Sequence, residues 1–215
     1  MKLKIRKFVF YSFLIFTMSF GLQAQNVIRY FIDMPAYLLP SMENTHKLEL
    51  IENYQGKKAK DTIENLFGGK VKILELDTVA ELISIRTTSV SRFEMMVFEN
   101  ENDTLIGIIN TVCGPVCSSY IRFYNKKWKE IKVDFPKLSN SNWLKLPESK
   151  MDGGKVEDVL KGSFLEYTFS PSDKSVKVVN NSIQMLGQDE QTLVEPHLEE
   201  NVVSVKWNNK KWEVK

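Results

Sequence analysis

The sequence predicts an α+β fold, a mainly antiparallel β-sheet with a few short helices packed on it. Helical spacing of apolar residues marks two short segments before residue 70, whereas from Val71 to about 133 apolar residues recur with a period of two. Short polar connections join these alternating runs, which suits antiparallel neighbours and leaves no room for parallel crossovers. Because 43% of the residues are hydrophobic, the chain can build a sizeable core and does not belong to the disordered class.

Residues 1–24 have the pattern of a secretory signal peptide. A basic start precedes an apolar run over 8–22, and the small residue Ala24 stands before the polar Gln25. The run is shorter than the roughly 20 residues of a transmembrane helix, and Ser, Thr and Gly interrupt it. We therefore expect cleavage after Ala24, no transmembrane anchor, and a mature single domain over 25–215 in the periplasm or cell envelope.

Removal of this leader changes the charge of the chain. The leader carries four of the 29 Lys and Arg residues and none of the 27 Asp and Glu residues, so the mature chain has a net charge of −2. The pI of 8.4 for the full chain is therefore no sign of nucleic-acid binding. We expect no nucleic-acid partner.

Two short amphipathic helices are predicted before the sheet. The first covers about 48–55 and is ended by Gly56, and the second covers about 59–66 and is ended by Gly68 and Gly69. Each has apolar residues at helical spacing on one face. They are expected to cover one face of the sheet.

Six strands are predicted next, near 71–76, 80–88, 92–99, 104–112, 118–124 and 128–133. Those near 92–99 and 104–112 are apolar on both sides, so their sheet needs a covering layer on each face. The helices can supply one layer, and the C-terminal third or a partner must supply the other.

The last third is predicted to begin after an irregular connection. Proline, glycine and a Ser/Asn cluster mark this connection over 136–154, which is also a candidate boundary within the domain. A short helix at 156–160, strands near 164–169 and 175–179, a polar stretch to His197 and a closing hairpin follow. Trp128 and Trp212 return from Asn-containing turns, and both are expected to be buried.

Cys113 and Cys117 are the only cysteines, and strand-like sequence leads into and out of the pair. Three interpretations are open: a structural disulfide at a hairpin tip, a redox or metal-transfer dithiol, and free thiols. The segment is similar to the Cys-Gly-Pro-Cys of thioredoxin-like oxidoreductases but is one residue longer, and no helix start follows to lower a thiol pKa. Export favours the disulfide, because disulfides persist outside the cytoplasm.

No catalytic constellation accompanies the cysteines. His46 and His197 are the only histidines, and His197 lies in an acidic stretch with Glu195, Glu199 and Glu200 that is expected to be a solvated loop rather than a metal site. Phosphate loops, nucleophile elbows and dinucleotide fingerprints are missing from the sequence. We predict no catalytic residues, no metal and no cofactor.

Several short segments carry a resemblance to a known family. They are Phe-Ile-Asp-Met-Pro at 31–35, Phe-Gly-Gly-Lys at 67–70, Thr-Val-Cys-Gly-Pro-Val-Cys at 111–117, Ile-Arg-Phe-Tyr at 121–124 and Trp-Lys-Glu-Ile at 128–131. In order and spacing they resemble a secreted family of Bacteroidetes catalogued as a domain of unknown function, DUF3256. The resemblance spans about 31–143, and the last third more loosely. It implies a location in the envelope and no assigned activity.

The resemblance also implies candidate modification sites. Exported proteins of Bacteroidetes are commonly O-glycosylated at Asp followed by Thr or Ser and an aliphatic residue, and Thr62, Thr78 and Thr104 fit that pattern. Thr78 and Thr104 fall at predicted turns or strand edges and are expected to be exposed. Thr62 falls in the second predicted helix and is the weakest of the three.

Three functions from different classes remain open. The first is a non-enzymatic envelope protein, a binding or structural module that holds an envelope protein or a ligand on a sheet face or in a groove. The second is a thiol–disulfide or metal-handling protein that uses Cys113 and Cys117. The third is a carboxylate-based hydrolase of envelope material, which needs a deep cleft with two acids of separated pKa.

Overall fold

A computed structural model describes residues 26–56, 61–100, 103–138, 142–145, 156, 158–160, 163–199, 202–208 and 211–215. Within these residues the chain forms two antiparallel β-sheets and three short α-helices. The α+β class predicted from the sequence is confirmed. None of the helices among the described residues is both long enough and apolar enough to cross a membrane.

The large sheet has seven strands that lie side by side in chain order. They are β1 (Thr62–Glu64), β2 (Lys70–Asp77), β3 (Leu82–Arg86), β4 (Ser91–Asn100), β5 (Asp103–Cys113), β6 (Cys117–Asn125) and β7 (Glu130–Ile131). The small sheet has four strands, also in chain order: β8 (Leu165–Ser170), β9 (Ser175–Asn180), β10 (Val202–Trp207) and β11 (Trp212–Val214). Every neighbouring pair is antiparallel, as predicted.

The helices are α1 (Asn26–Asp33), α2 (Asn44–Gln55) and α3 (Gln188–Val194). The predicted end of α2 at Gly56 is confirmed. Lys47 of α2 is fully buried and joins the first two helices, because its Nζ donates hydrogen bonds to the carbonyl oxygens of Ile32 (3.3 Å) and Met34 (2.5 Å). Burial lowers the pKa of Lys47 to about 8, and the nearby Asp33 carboxylate opposes that shift.

The second predicted helix, at 59–66, is wrong. Residues 62–64 form the edge strand β1, which pairs with the start of β2, and residues 57–60 lie outside the described residues. The reversal is made by Gly68, at a φ of 76°, and by the Asn65 side chain, whose Oδ1 accepts the N–H groups of Phe67 and Gly69. This turn places Ile63 in the core from a strand.

The large sheet is buried on both faces, as the doubly apolar strands predict. On the helix-side face, α1 and α2 cover a cluster that includes Val71, Ile73, Ile83, Ile85, Phe93, Met95, Val97, Ile106 and Ile108. On the opposite face the small sheet supplies the second layer, and residues of both sheets form one cluster, which includes Met96, Phe98, Ile109, Phe123, Phe169, Val176, Val203, Val205 and Trp212. The C-terminal third therefore provides the second cover.

The connection between the sheets is described only in part. Residues 139–141 and 146–155 of the predicted irregular segment lie outside the described residues. Of the short helix predicted at 156–160, residues 156, 158 and 159 have helical backbone, and Val156 and Leu160 are buried beside Val194 of α3.

Gly107 of β5 lies at the junction of the two sheets, under two aromatic rings. A Cβ atom at this position would lie 2.8 Å from Cζ of Phe169 and 3.3 Å from Cε1 of Phe123. Both rings are buried and packed, so they cannot move aside freely. We expect Gly107→Ala to lower the free energy of unfolding by roughly 1–3 kcal/mol, measured by urea denaturation.

Gly114 provides the matched control for that substitution. It lies in the turn after β5, and a Cβ atom there would meet nothing within 4 Å. Gly114→Ala should therefore change the free energy of unfolding by less than about 0.5 kcal/mol. Equal effects of the two substitutions would show that the close approach of the rings at Gly107 is not what matters.

Candidate functional site

Among the described residues, no helix lies over one part of the helix-side face. The helices lie over β1–β4, whereas the polar residues Asn110 and Arg122 continue the same face on β5 and β6. Asn110 pairs across the strands with Tyr120, and Ile108 pairs with Arg122. This end of the face therefore presents polar and aromatic side chains instead of a covered apolar layer.

These side chains form the floor of a groove, which we call the tyrosine groove. Its cavity volume is about 140 Å³, and it is lined by Tyr37, Leu38, Ile108, Asn110, Tyr120, Arg122, Tyr124 and Glu130. A turn of 3-10 helix between α1 and α2, Ala36–Leu38, forms one wall, and the Tyr37 hydroxyl donates a hydrogen bond to the Trp128 carbonyl oxygen at 3.2 Å. Tyr37 and Tyr120 are 67% and 53% exposed.

Arg122 is the central polar group of the groove. Its guanidinium lies 5.4 Å from the centroid of the Tyr120 ring, and its Nη1 is 3.9 Å from Oε2 of Glu130. A hydrogen bond with the Tyr124 side chain and the charge of Glu130 raise the pKa of Arg122. Burial raises the pKa of Tyr124, so its hydroxyl stays neutral. Arg122 and Glu130 are the two charged residues of the lining, and their charges cancel.

A second, wider depression adjoins the tyrosine groove. It has a cavity volume of about 320 Å³ and is lined by Arg29, Tyr30, Asp33, Lys126 and Trp128. The Trp128 ring contacts Tyr124 and Tyr30, at centroid distances of 6.1 and 6.3 Å. Both tyrosines are buried, so Trp128 is the more accessible ring where the two depressions meet.

Trp128 differs from its sequence-based prediction. It is half-buried, whereas Trp212 is buried as predicted. Trp128 adopts a positive φ of 61° in the turn after β6, so it precedes the returning strand β7 instead of belonging to it. That position leaves one side of its ring toward the second depression.

The cysteine pair lies at the hairpin tip where the sequence predicts it. Cys113 ends β5 and Cys117 begins β6, their Cα atoms are 3.9 Å apart, and their Sγ atoms are at disulfide distance, 1.98 Å. The Asn181 side-chain amide donates hydrogen bonds to the Cys117 carbonyl oxygen at 2.9 Å and to Oε2 of Glu166 at 3.2 Å. The tip is thereby fastened to the small sheet.

We propose that Cys113 and Cys117 are bonded to each other in the mature protein, as a structural element. The double substitution Cys113→Ser/Cys117→Ser should then leave a folded protein that loses at most about 2 kcal/mol, since the closed loop is very short. Thiol titration of the denatured mature protein should detect no free thiol. Reduction of insulin disulfides by the wild type, lost in the double variant, would instead support a redox function.

A buried polar cluster joins the two sheets beside this tip. Arg92 forms ion pairs with Glu94 (Nε to Oε1, 3.1 Å) and Glu166 (Nη2 to Oε1, 3.0 Å). Oε2 of Glu94 accepts the backbone N–H of Phe169 at 3.0 Å, and Oγ of Ser119 accepts the backbone N–H of Tyr167 at 3.0 Å. These side chains cap N–H groups of β8, the terminal strand of the small sheet.

This cluster does not have the features expected of a carboxylate hydrolase. Glu94 is 4% exposed, and its two oxygens are engaged by Arg92, Ser84 and the Phe169 amide. Burial raises the pKa of Glu94, and the Arg92 charge opposes that shift. The bonds of this carboxylate are used to hold the sheets together.

The remaining predicted residues lie apart from the groove. Thr62 is in β1 and not in a helix, which corrects its predicted setting, while Thr78 follows β2 and Thr104 is in β5. Thr78 and Thr104 are half-buried, less accessible than expected.

His197 is at the end of a 3-10 turn, and Glu200 lies outside the described residues. Among the residues described, no three His, Cys, Asp or Glu side chains are grouped so as to hold a metal ion.

The groove was not predicted from the sequence, although β6 contains a signal for it. Tyr120, Arg122 and Tyr124 alternate on one face of the strand, an aromatic and charged pattern unusual for a covered face. The other wall comes from Tyr37, which is distant in sequence, so only the folded chain brings the two together.

Comparisons with known proteins agree with this fold. The family model described as "Protein of unknown function (DUF3256)" matches residues 19–212. A solved structure of a domain of an uncharacterized protein from Porphyromonas gingivalis W83 is similar, with a TM-score of 0.74 and 21% sequence identity, over 88% of this chain and 97% of that chain. At this identity the likeness shows the fold alone. No curated protein matches the sequence. Since the family model covers most of the chain, the protein belongs to the DUF3256 family of proteins of unknown function.

Proposed function

We propose that the protein is a non-enzymatic binding module that holds its ligand in the tyrosine groove. The observation that supports this proposal is a depression lined by two exposed tyrosines, Tyr37 and Tyr120, together with Arg122 and Asn110. Tyrosine and arginine dominate the energetics of binding surfaces, because each combines a large contact area with fixed hydrogen-bonding groups. Ligand sites are typically concave, with a few convergent polar groups.

The groove is also pre-organised. Its floor belongs to β5 and β6, which pair without a break from Leu105–Asn125 to Cys113–Cys117, and Tyr37 in its wall is hydrogen-bonded to the Trp128 carbonyl oxygen. A site built on paired strands loses little conformational entropy when a ligand binds. A rigid, open groove suits a binding module.

The two other functions have weaker support. Cys113 and Cys117 lie at a strand-to-strand turn, which lacks the helix N-terminus that activates a thiolate in thioredoxin-like proteins. Glu94 and Glu166 share Arg92, and Glu94 is buried against the small sheet, so neither is placed as a free acid in a cleft.

We also propose that the chain is exported and that its mature form begins at Gln25, on the basis of the leader pattern in residues 1–24. The leader lies outside the described residues. Intact mass of the protein from its native host should correspond to residues 25–215 plus any glycan on Thr78 or Thr104. A mass that retains residues 1–24 would contradict export by cleavage, and unmodified peptides covering both threonines would exclude the glycans.

The binding function can be tested without knowledge of the ligand. Saturation-transfer NMR with three panels of compounds, neutral oligosaccharides, short peptides and nucleotides, is expected to show binding of at least one panel to the wild type. Tyr120→Ala should abolish that binding. Tyr54→Ala is the matched control, because Tyr54 is a partly exposed tyrosine on α2 outside the groove lining. Equal binding by wild type and Tyr120→Ala would overturn the proposal.

A further inference from the structure

The chemistry of the tyrosine groove indicates which class of ligand it takes. The lining offers hydrogen-bond donors in Arg122 and in the amide of Asn110, acceptors in Glu130 and in the Asn110 carbonyl, and tyrosine hydroxyls that do both. A ligand that matches this mixture needs donors and acceptors on every side. Sugar hydroxyl groups have this property, and the C–H face of a sugar ring packs flat on an aromatic ring.

The charge of the groove argues against anionic ligands. Arg122 and Glu130 give its lining no net charge, and the Glu130 carboxylate would repel a phosphate placed beside Arg122. Single-stranded nucleic acids are bound along positively charged tracks with aromatic platforms, and this groove lacks such a track. A neutral ligand satisfies the side chains of the tyrosine groove without a desolvated charge. In the second depression its hydroxyl groups can accept hydrogen bonds from Arg29 and Lys126 and donate to Asp33.

The floor of the groove argues against a peptide added as a strand. Peptides that extend a sheet need a row of open backbone N–H and C=O groups. Here the floor consists of side chains on the paired strands β5 and β6, whose register runs unbroken from Leu105–Asn125 to Cys113–Cys117. The backbone groups between β5 and β6 are therefore already hydrogen-bonded, and on its other edge β6 pairs with β7 at Phe123 and Tyr124.

The length of the site is indicated by the second depression. Trp128 lies between Tyr124, which lines the tyrosine groove, and Tyr30, which lines the second depression. Tyr124 and Tyr30 are buried, so the half-buried Trp128 is the ring of these three that a ligand can reach between the two depressions. Resting on the proposed function, we infer that the ligand is a neutral oligosaccharide that lies in the tyrosine groove and runs past Trp128 into the second depression.

The inference is tested by titrating the wild type with maltotetraose, cellotetraose and chitotetraose in a calorimeter. At least one tetrasaccharide should bind, and Tyr120→Ala and Tyr37→Ala should each weaken it by roughly tenfold or more. Tyr54→Ala should bind as the wild type does. Because the ligand is uncharged, its affinity should not change between about 0.05 and 0.5 M NaCl.

The path of the ligand has its own readout. In ¹⁵N NMR spectra, the tetrasaccharide that binds should shift the indole N–H signal of Trp128, whereas the matching disaccharide should shift it much less. A tetrasaccharide that binds without perturbing Trp128 would contradict the extended path.

The outcomes separate the ligand class from the binding function. If peptides bind and Tyr120→Ala removes their binding, the oligosaccharide inference is overturned, while the groove remains a binding site. If none of the three panels binds through the groove, both the inference and the proposed function fail. Since Tyr37 and Tyr120 are exposed, their alanine variants are expected to fold, which circular dichroism and melting temperature will check.

Discussion

Replacement of Trp212 by alanine is expected to lower the free energy of unfolding by about 3–5 kcal/mol. Trp212 of β11 is 4% exposed and packs in the cluster shared by the two sheets. Its ring contacts Phe98 of the large sheet at 5.2 Å between centroids and Phe123 at 5.3 Å. The substitution leaves a cavity where both sheets meet, and neither sheet can close it alone.

Urea denaturation followed by circular dichroism measures this effect. Val214→Ala is the matched control, because Val214 lies on the same short strand and is 44% exposed. The control should change stability by about 0.5 kcal/mol or less. If Trp212→Ala were no more damaging than Val214→Ala, the closing hairpin would not contribute to the shared core.

The second large effect is expected from Arg92→Met, which should cost about 3–5 kcal/mol at neutral pH. The substitution removes the positive partner of Glu94, whose carboxylate remains buried between the sheets. It also leaves Glu166 without its ion pair, although Glu166 is more exposed than Glu94. The double variant Arg92→Met/Glu94→Gln removes the uncompensated charge, so it should be more stable than Arg92→Met alone.

The pH dependence of this variant follows from Glu94. In the folded protein burial raises the pKa of Glu94, and Arg92 opposes that shift. In the unfolded chain the pKa of a glutamate is about 4.3. Because the folded state binds the Glu94 proton more tightly than the unfolded state does, the free energy of unfolding falls as pH rises from this value through the folded pKa. Without Arg92 the pKa of Glu94 in the folded protein is higher. The free energy of unfolding therefore continues to fall to higher pH. Wild type and variant should therefore be closest near about pH 4.5 and differ most near pH 7. An unchanged gap across this range would exclude Glu94 as the cause.

The strands of the large sheet were predictable because their patterns have one interpretation. In β4 and β5 apolar residues occupy both faces, which requires a sheet covered on each side, and the small sheet and helices provide those covers. The cysteine hairpin was equally clear, since alternating residues flank Cys113 and Cys117. Period and turn chemistry decide such elements locally.

Other elements depended on contacts that the sequence does not display. Ile63 and Leu66 have helical spacing, yet Gly68 and the Asn65 side chain make a turn that converts the segment into an edge strand. The helix α1 is short, and its burial against the large sheet supports it more than its own propensity does. Likewise, the tyrosine groove exists only because Tyr37 packs beside a strand more than 80 residues away.

The chain-order arrangement of the strands has a consequence for the order of folding. Each strand pairs with the one before it, so both sheets are built from local contacts of low contact order. If the chain folds as it emerges from its N-terminus, the large sheet is complete once Ile131 is available, well before β8 exists. During that interval Met96, Phe98, Ile109 and Phe123 form an uncovered apolar face. Such a face is prone to aggregation until the small sheet docks, so this stage is where a chaperone would act.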